Sequence, residues 1–96
     1  MSAFILVQID VHDAEGYARY RGMVLPSIAA YGGKFVVRGG AVETLEGTWR
    51  PTRLVILEFP DADRARAWWA SPEYAGPKAL RLATARSEMI LVEGAT

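Results

Sequence analysis

RLVILEF, residues 53–59, is the stretch that decides the fold of this 96-residue chain. Its run of β-branched and large apolar residues makes it the least ambiguous strand in the sequence. Pro60-Asp61 follows at once, and this pair stops a strand and caps a helix. The segment is therefore predicted to be a strand that leads directly into a helix.

Two more strands are predicted on the N-terminal side. Residues 4–11 (FILVQIDV) are rich in large apolar and β-branched residues over the length of a strand, and residues 34–38 (KFVVR) form the next strand. Gly39-Gly40 indicates a bulge or bend, after which residues 41–45 are expected to continue that strand. Residues 46–52 then form the reversal into residues 53–59.

Helices are predicted on both sides of this hairpin. Asp13 caps the first, which ends at Gly32-Gly33 and whose last third Pro26 is expected to kink or break. The second follows Asp61, and Ser71-Pro72 interrupts it and restarts it, with Ser71 as the cap.

A strand at residues 88–93 (EMILVE) closes the chain. The resulting order, β-α-β-β-α-β, is the split βαβ arrangement. The sequence therefore predicts an α+β fold of ferredoxin-like type with a four-stranded antiparallel sheet, and residues 1–96 are expected to form a single domain.

Composition excludes several classes of function. Lys plus Arg and Asp plus Glu number eleven each, without a basic run, so neither nucleic acid nor a membrane is an expected partner. The absence of cysteine removes disulfides, thiolate nucleophiles and thiolate metal sites. No secretory signal is evident at the start, so a cytoplasmic location is predicted.

The strands carry apolar residues on both faces, although helices can cover only one. Phe4 and Leu6 oppose the main apolar face of the first strand, and Leu54 and Ile56 do so in the third. The last strand divides into Ile90 with Val92 against Met89 with Leu91. Six large apolar side chains therefore lie beyond the reach of the helices, and covering each is worth roughly 1.5–3 kcal/mol. A homodimer through the sheet face is predicted, because one two-fold interface covers both patches.

Four motifs in order resemble a known family: GGKFVVRGG (32–40), LEGTW (45–49), LEFP (57–60) and AWWASPEY (67–74). They are similar to a bacterial family of domains of unknown function, DUF1330, in the dimeric α+β barrel superfamily. The resemblance covers nearly the whole chain and implies the same fold and dimer. That superfamily includes cofactor-free monooxygenases, isomerases, haem-handling enzymes and binding domains, so function has to be argued from the site.

Arg38 and Glu58 are the first candidate site residues. Arg38 precedes two glycines that allow a close approach, and its guanidinium fork can hold a substrate carboxylate. Glu58 lies on the side of Leu54, where a dimer would partly desolvate it, and is a candidate general base. The alternative is a structural ion pair of Arg38 with Glu58 or with Asp10.

His12, the only histidine, is a second candidate for catalysis, as a proton shuttle or an axial haem ligand. One histidine makes a poor metal site, so no metal and no bound cofactor are predicted. The alternative is a solvated loop residue beside the helix cap.

Aromatic residues concentrated on the helices can line a cleft for a flat ligand, or belong to the core. Tyr20, Trp69, Ser71 and Tyr74 are the candidate substrate-binding residues there. Arg81, one or two turns further on, is expected to complete an anion clamp with Arg38. A serine nucleophile at Ser71 is not expected, because no histidine-acid relay accompanies it.

Three functions follow from these candidates. The first is a cofactor-free enzyme for a small organic acid or a phenolic or lactone-like compound, in which Arg38 binds the carboxylate and Glu58 or His12 moves a proton. The second is a non-catalytic ligand-binding or regulatory homodimer. The third is a haem-related role.

Overall fold

The computed structural model describes residues 1–95 and has the predicted order of elements. These elements are β1 (Ala3–Val11), α1 (Ala14–Ala30), β2 (Lys34–Arg38), β3 (Leu54–Phe59), α2 (Ala62–Trp69), α3 (Pro72–Thr84) and β4 (Ala85–Glu93). The four strands form one antiparallel sheet in the order β2-β3-β1-β4. The predicted ferredoxin-like α+β fold is confirmed, with its second helix divided into α2 and α3.

The first helix runs without a break past its internal proline. Asp13 caps it by accepting a hydrogen bond from the backbone N–H of Gly16 at 3.1 Å, as predicted. A kink or a break was predicted at Pro26, and the break is wrong, because Pro26 lies inside a helix that continues to Ala30. Proline removes a single backbone donor. Val24 and Ile28 are buried on either side of it, and this packing holds both parts of the helix on the core.

The interruption between α2 and α3 is confirmed, and Ser71 sets it. The Ser71 hydroxyl donates to the carbonyl of Trp68 at 2.7 Å, closing α2, and accepts from the N–H of Tyr74 at 3.1 Å, opening α3. Pro72 takes the first position of α3, where its missing N–H costs no helical bond. The short turn therefore fixes where Tyr74 and the rest of α3 lie.

A β-bulge in β2 changes which side of the sheet its last residue faces. Lys34 lies opposite Glu58 and Arg38 lies opposite Val55, so five residues of β2 span four residues of β3. The extra residue is Val36, where the register shifts. Because side chains alternate between faces, the shift by one residue turns Arg38 to the side of the buried Val55.

The predicted continuation of this strand through residues 41–45 is wrong. β2 ends at Arg38, and Gly39 has a φ of +73°, a left-handed conformation that turns the chain out of the sheet. Residues 39–53 form a loop that returns over the sheet, where the indole N–H of Trp49 donates to the side-chain carbonyl of Gln8 at 2.5 Å.

The last strand begins three residues earlier than predicted, at Ala85. α3 passes into it without a loop, since Ala85 already has extended angles (φ −150°, ψ 152°). Ser87 therefore belongs to the strand, opposite Ile9 of β1.

The core lies between the helices and one face of the sheet. Its largest fully buried side chains are Trp68, Tyr74, Phe59, Ile9 and Ile28. The other face of the sheet, called the outer face below, carries apolar side chains from three neighbouring strands. They are Phe4, Leu6, Leu54, Ile56, Ile90 and Val92. Within the part of the chain that the structure describes, no helix has the length and apolar character needed to span a membrane.

Candidate functional site

A groove of about 570 Å³ lies between the helices α2 and α3 and the strand β4. This volume is within the range of small-molecule sites. The groove is lined by Ile5, Ala65, Arg66, Trp69, Ala70, Arg81, Leu82, Ser87, Met89, Ile90 and Leu91. Most of these side chains are apolar, so the few polar groups among them decide what the groove can bind.

Arg81 is the main polar group in this groove, and it is buried, with 4 % of its surface exposed. Its Nε donates to the hydroxyl of Tyr74 at 3.1 Å and its Nη1 donates to the hydroxyl of Ser87. Both partners are neutral. The ion pairs found in residues 1–95 join Lys34 with Glu58 and Arg66 with Asp63, and neither includes Arg81. The groove therefore has a buried positive charge that no carboxylate of the described chain neutralises, which is costly unless a ligand supplies the counter-charge.

Two tyrosines connect this arginine to the core. The hydroxyl groups of Tyr20 and Tyr74 are 3.3 Å apart, and the Tyr74 ring packs on Trp68 at a centroid distance of 4.0 Å. Burial raises the pKa of the Tyr20 hydroxyl far above its usual value, and the neighbouring Tyr74 raises it further. Tyr20 therefore stays neutral at ordinary pH. It orients Tyr74, which in turn accepts from Arg81.

Trp69 forms one wall of the groove, and Lys78 holds it. The ammonium of Lys78 lies 3.8 Å from the centroid of the Trp69 ring and donates to the Trp69 carbonyl at 2.9 Å. This cation–π contact favours one orientation of a ring that is 48 % exposed. A flat ligand in the groove would have that ring beside it.

The structure thus brings together four of the predicted residues. Trp69 and Arg81 line the groove, and Tyr20 and Tyr74 form the hydrogen-bond chain behind Arg81. Ser71 lies next to them, but its hydroxyl is occupied by the two capping hydrogen bonds.

The other predicted site residues lie elsewhere. Glu58 faces the outer side of the sheet, as predicted, but it pairs with Lys34 at 3.6 Å, so the expected ion pair with Arg38 was wrong. The reason is the antiparallel register, which puts Lys34 opposite Glu58 and Arg38 opposite Val55 near the other end of the strand, and the bulge turns Arg38 to the opposite face as well. Arg38 ends β2 at one edge of the sheet, whereas Arg81 contacts Ser87 of β4 at the other edge. The structure does not bring these two arginines together into the expected clamp.

His12 is exposed just beyond the end of β1, and its backbone N–H donates to the carbonyl of Thr84 at 3.0 Å. It does not line the groove. This position matches the alternative interpretation of a solvated loop residue.

Sequence reasoning missed two contributors to the groove. Ser87 was missed because the last strand was started too late, although a polar residue within an apolar β-strand is a signal that could have drawn attention to it. Lys78 was missed because its contact with Trp69 joins two helices across the Ser71 turn, and no spacing rule for a single helix predicts that contact.

The sheet and its one-sided helices define an α+β protein of ferredoxin-like fold. The chain belongs to the family described as Domain of unknown function (DUF1330), whose model matches residues 2–95. The family predicted from the four sequence motifs is therefore confirmed. No curated protein matches the chain.

Solved structures share this fold at low sequence identity. The RPA0582 protein of unknown function from Rhodopseudomonas palustris is 21% identical with a TM-score of 0.79, and the match covers 99% of this chain and 83% of that one. SnoaB from Streptomyces nogalater, a cofactor-independent oxygenase, is 17% identical with a TM-score of 0.67 (99% and 94% covered). A dimeric ferredoxin-like protein of unknown function from Jannaschia sp. CCS1 is 12% identical with a TM-score of 0.67 (98% and 100% covered). At these identities the matches establish the fold.

Proposed function

We propose that this protein is a homodimer that binds a small organic acid or phenol as its anion in the groove, with Arg81 as the anion-binding residue, and acts on it without a cofactor. The single observation that carries the proposal is the buried Arg81 guanidinium with only neutral partners in a largely apolar groove. Trp69 is the wall on which the ring of the ligand would lie.

The chemistry of such a groove follows from its charge. A fixed positive charge between apolar walls stabilises the ionised form of a bound phenol, enol or carboxylic acid more than the neutral form. The pKa of the ligand therefore falls on binding. An electron-rich phenolate or enolate is the reactive form in many oxidations and isomerisations, so stabilising it is itself a catalytic contribution. SnoaB, which shares the fold, is described as a cofactor-independent oxygenase, and this supports the same class of chemistry.

The dimer is proposed through the outer face. Ile90 and Val92 are 56 % and 42 % exposed in the single chain, beside Phe4 and Leu6 of the neighbouring strand. The accessible surface of the chain is 5995 Å², about a tenth more than the roughly 5,400 Å² expected for a monomer of this mass. Dimeric proteins of this fold, such as the one from Jannaschia sp. CCS1, support the same assembly.

A second candidate function is binding without turnover, and one observation favours it. No Asp, Glu or His lines the groove within residues 1–95, so the described chain places no carboxylate or imidazole there to accept a proton. A non-catalytic domain would use the same arginine and the same aromatic wall for affinity alone.

The test uses 4-nitrophenol as the probe, because its phenolate absorbs visible light and its phenol does not. We expect the wild-type protein to bind the phenolate about 10- to 100-fold more tightly than the phenol, the range that one charge-assisted hydrogen bond supplies. The apparent pKa of the bound probe should fall by one to two units relative to the free probe, measured by absorbance against pH. A panel of phenols and aromatic acids is then incubated aerobically and assayed for consumption.

Arg81→Gln should remove this pKa shift, and Arg81→Lys should keep part of it, because lysine retains the charge but not the planar fork. Arg86→Gln is the matched control, since Arg86 is an exposed residue on β4 that does not line the groove. Trp69→Ala serves if both Arg81 variants fail to fold, and it should weaken probe binding at least about tenfold. An unchanged pKa shift in folded Arg81→Gln would refute the proposal. Binding of the whole panel without consumption would favour the second function.

A further inference from the structure

A second group of arginines lies at the opposite edge of the sheet, under α1. Arg21 of α1, Arg38 at the end of β2 and Arg53 just before β3 line one cavity, together with the aromatic rings of Tyr17 and Phe35. Met89 is the one residue that lines both this cavity and the groove, and neither Arg81 nor any other arginine is shared between them.

The guanidinium groups of Arg38 and Arg53 are each held by an aromatic ring and a neutral oxygen atom. The Arg53 Nε donates to the hydroxyl of Tyr17 at 3.1 Å, and its guanidinium is 5.5 Å from the centroid of that ring. The Arg38 guanidinium lies 4.1 Å from the centroid of Phe35, and its Nη2 donates to the backbone carbonyl of Arg21 at 3.1 Å. A guanidinium has five N–H donors, so these contacts fix its position and leave most of its donors for a ligand.

Two features of the backbone bring these arginines together. The bulge at Val36 turns Arg38 to the helix side of the sheet, where it lies opposite Val55. At Gly39, a Cβ atom would collide with the guanidinium of Arg53, and the residue has a φ of +73°. The positive φ disfavours a residue with a side chain at Gly39, and a side chain there would also displace the Arg53 guanidinium from its present position.

The charge of this cluster is not balanced from within the described chain. No Asp or Glu of residues 1–95 lines the cavity, and the ion pairs found in this range, Lys34 with Glu58 and Arg66 with Asp63, include none of the three arginines. Three positive charges around one opening repel one another, and an anion of more than one charge relieves this repulsion most.

We propose that Arg21, Arg38 and Arg53 form a second anion-binding site, distinct from the groove, and that it binds the phosphoryl group of a small phosphorylated compound. A carboxylate presents two oxygens and one charge, which a single guanidinium already matches. A phosphate monoester presents three oxygens and nearly two charges, which suits three guanidinium groups. The inner void has a volume of about 20 Å³, room for about one water molecule, so the phosphoryl group binds at the mouth and not inside.

The test titrates the whole chain with inorganic phosphate, then with phenyl phosphate, at constant ionic strength in chloride. Binding is followed by calorimetry and by the amide NMR signals of Gly39 and Gly40. We expect saturable binding with shifts centred on these amides. Arg38→Gln and Arg53→Gln should each weaken it at least about tenfold, the effect of one lost charge-assisted contact. Arg86→Gln should stay within about twofold of the wild type.

Several outcomes would overturn this site. Unchanged affinity in Arg38→Gln would do so, and this variant is a safe one because Arg38 is exposed and its loss leaves no buried group unpaired. An equal loss in Arg86→Gln would show general charge screening and no site. Tighter binding of succinate than of phosphate would exclude the phosphoryl assignment. If Arg81→Lys lost phosphate binding and Arg38→Gln kept it, the phosphate would be bound in the groove and not at the three arginines.

Discussion

Replacing Ile90 with lysine tests whether the outer face is a dimer interface. Ile90 lies opposite Leu6 in the sheet and is 56 % exposed in the single chain, so about half of its surface is still available for burial by a partner. Complete burial of an isoleucine is worth roughly 1.5–3 kcal/mol, which leaves about 0.8–1.7 kcal/mol per subunit. A two-fold interface contains the residue twice, so the loss is about 1.7–3.4 kcal/mol per dimer. This corresponds to a rise in the dissociation constant of about 15- to 300-fold.

Sedimentation velocity from about 1 to 100 µM measures this constant directly. Leu25→Lys is the matched control: Leu25 lies on α1, in the layer away from the outer face, is 47 % exposed, and gains the same charge. We expect the dimer of Leu25→Lys to be as stable as the wild type. The reasoning is refuted if the wild-type chain sediments as a particle of 10.5 kDa throughout this range, or if both lysine variants dissociate equally.

Three further predictions concern stability, measured as the free energy of unfolding in urea. Burial raises the pKa of the Tyr20 hydroxyl, so above pH 10 the folded chain keeps a proton that the unfolded chain loses. The stability that this hydroxyl contributes is complete below pH 10. It falls by about 1.4 kcal/mol per pH unit as the pH rises above 10. Tyr20→Phe should remove that part of the slope between pH 9 and 11, and an unchanged slope contradicts the assignment. Ser71→Ala removes the cap of α3 and should cost about 1 kcal/mol, with a loss below about 0.3 kcal/mol counting against it. Gly33→Ala puts a Cβ 2.6 Å from the buried ring of Phe59 and should cost about 1–3 kcal/mol. Its control is Gly76→Ala, whose Cβ meets no atom within 4 Å and which should be neutral or slightly stabilising. Equal effects of the two substitutions would refute the packing argument.

The fold could be predicted from the sequence because its local signals agree with one another. The apolar run before Phe59, the cap at Asp61 and the restart at Ser71 each specify one boundary, and all three were confirmed. The predictions failed where contacts between residues far apart in the sequence determine the local structure. The bulge at Val36 depends on pairing with β3, and helix α1 tolerates Pro26 because Val24 and Ile28 on either side of it are buried in the core. Neither effect is encoded in the neighbouring residues alone.

The candidate sites were less predictable, since they depend on which face each side chain takes. Tyr74 and Arg81 are two turns apart on one helix, and this spacing brings them together, whereas the sequence predicts that Arg81 meets Arg38. The alternative ion pair of Arg38 with Glu58 is wrong, because the register places the two residues near opposite ends of the paired strands and the bulge sends them to opposite faces. Arg53 and Tyr17 were not considered at all, because their contact joins a helix to a strand far away along the chain.

One strand connects the proposed dimer to the proposed groove. β4 is an edge strand of the sheet, paired only with β1 among the residues described, and edge strands are the least constrained part of a sheet. Its alternate residues serve the two sites: Ile90 and Val92 face outward, while Ser87 and Met89 face the groove, whose rim Ile90 also lines. A partner subunit packed on the outward residues would hold the strand, and with it the hydroxyl that accepts a hydrogen bond from Arg81. On these two proposals, covering the outer face would help to fix the position of Arg81, whose other hydrogen bond is to Tyr74.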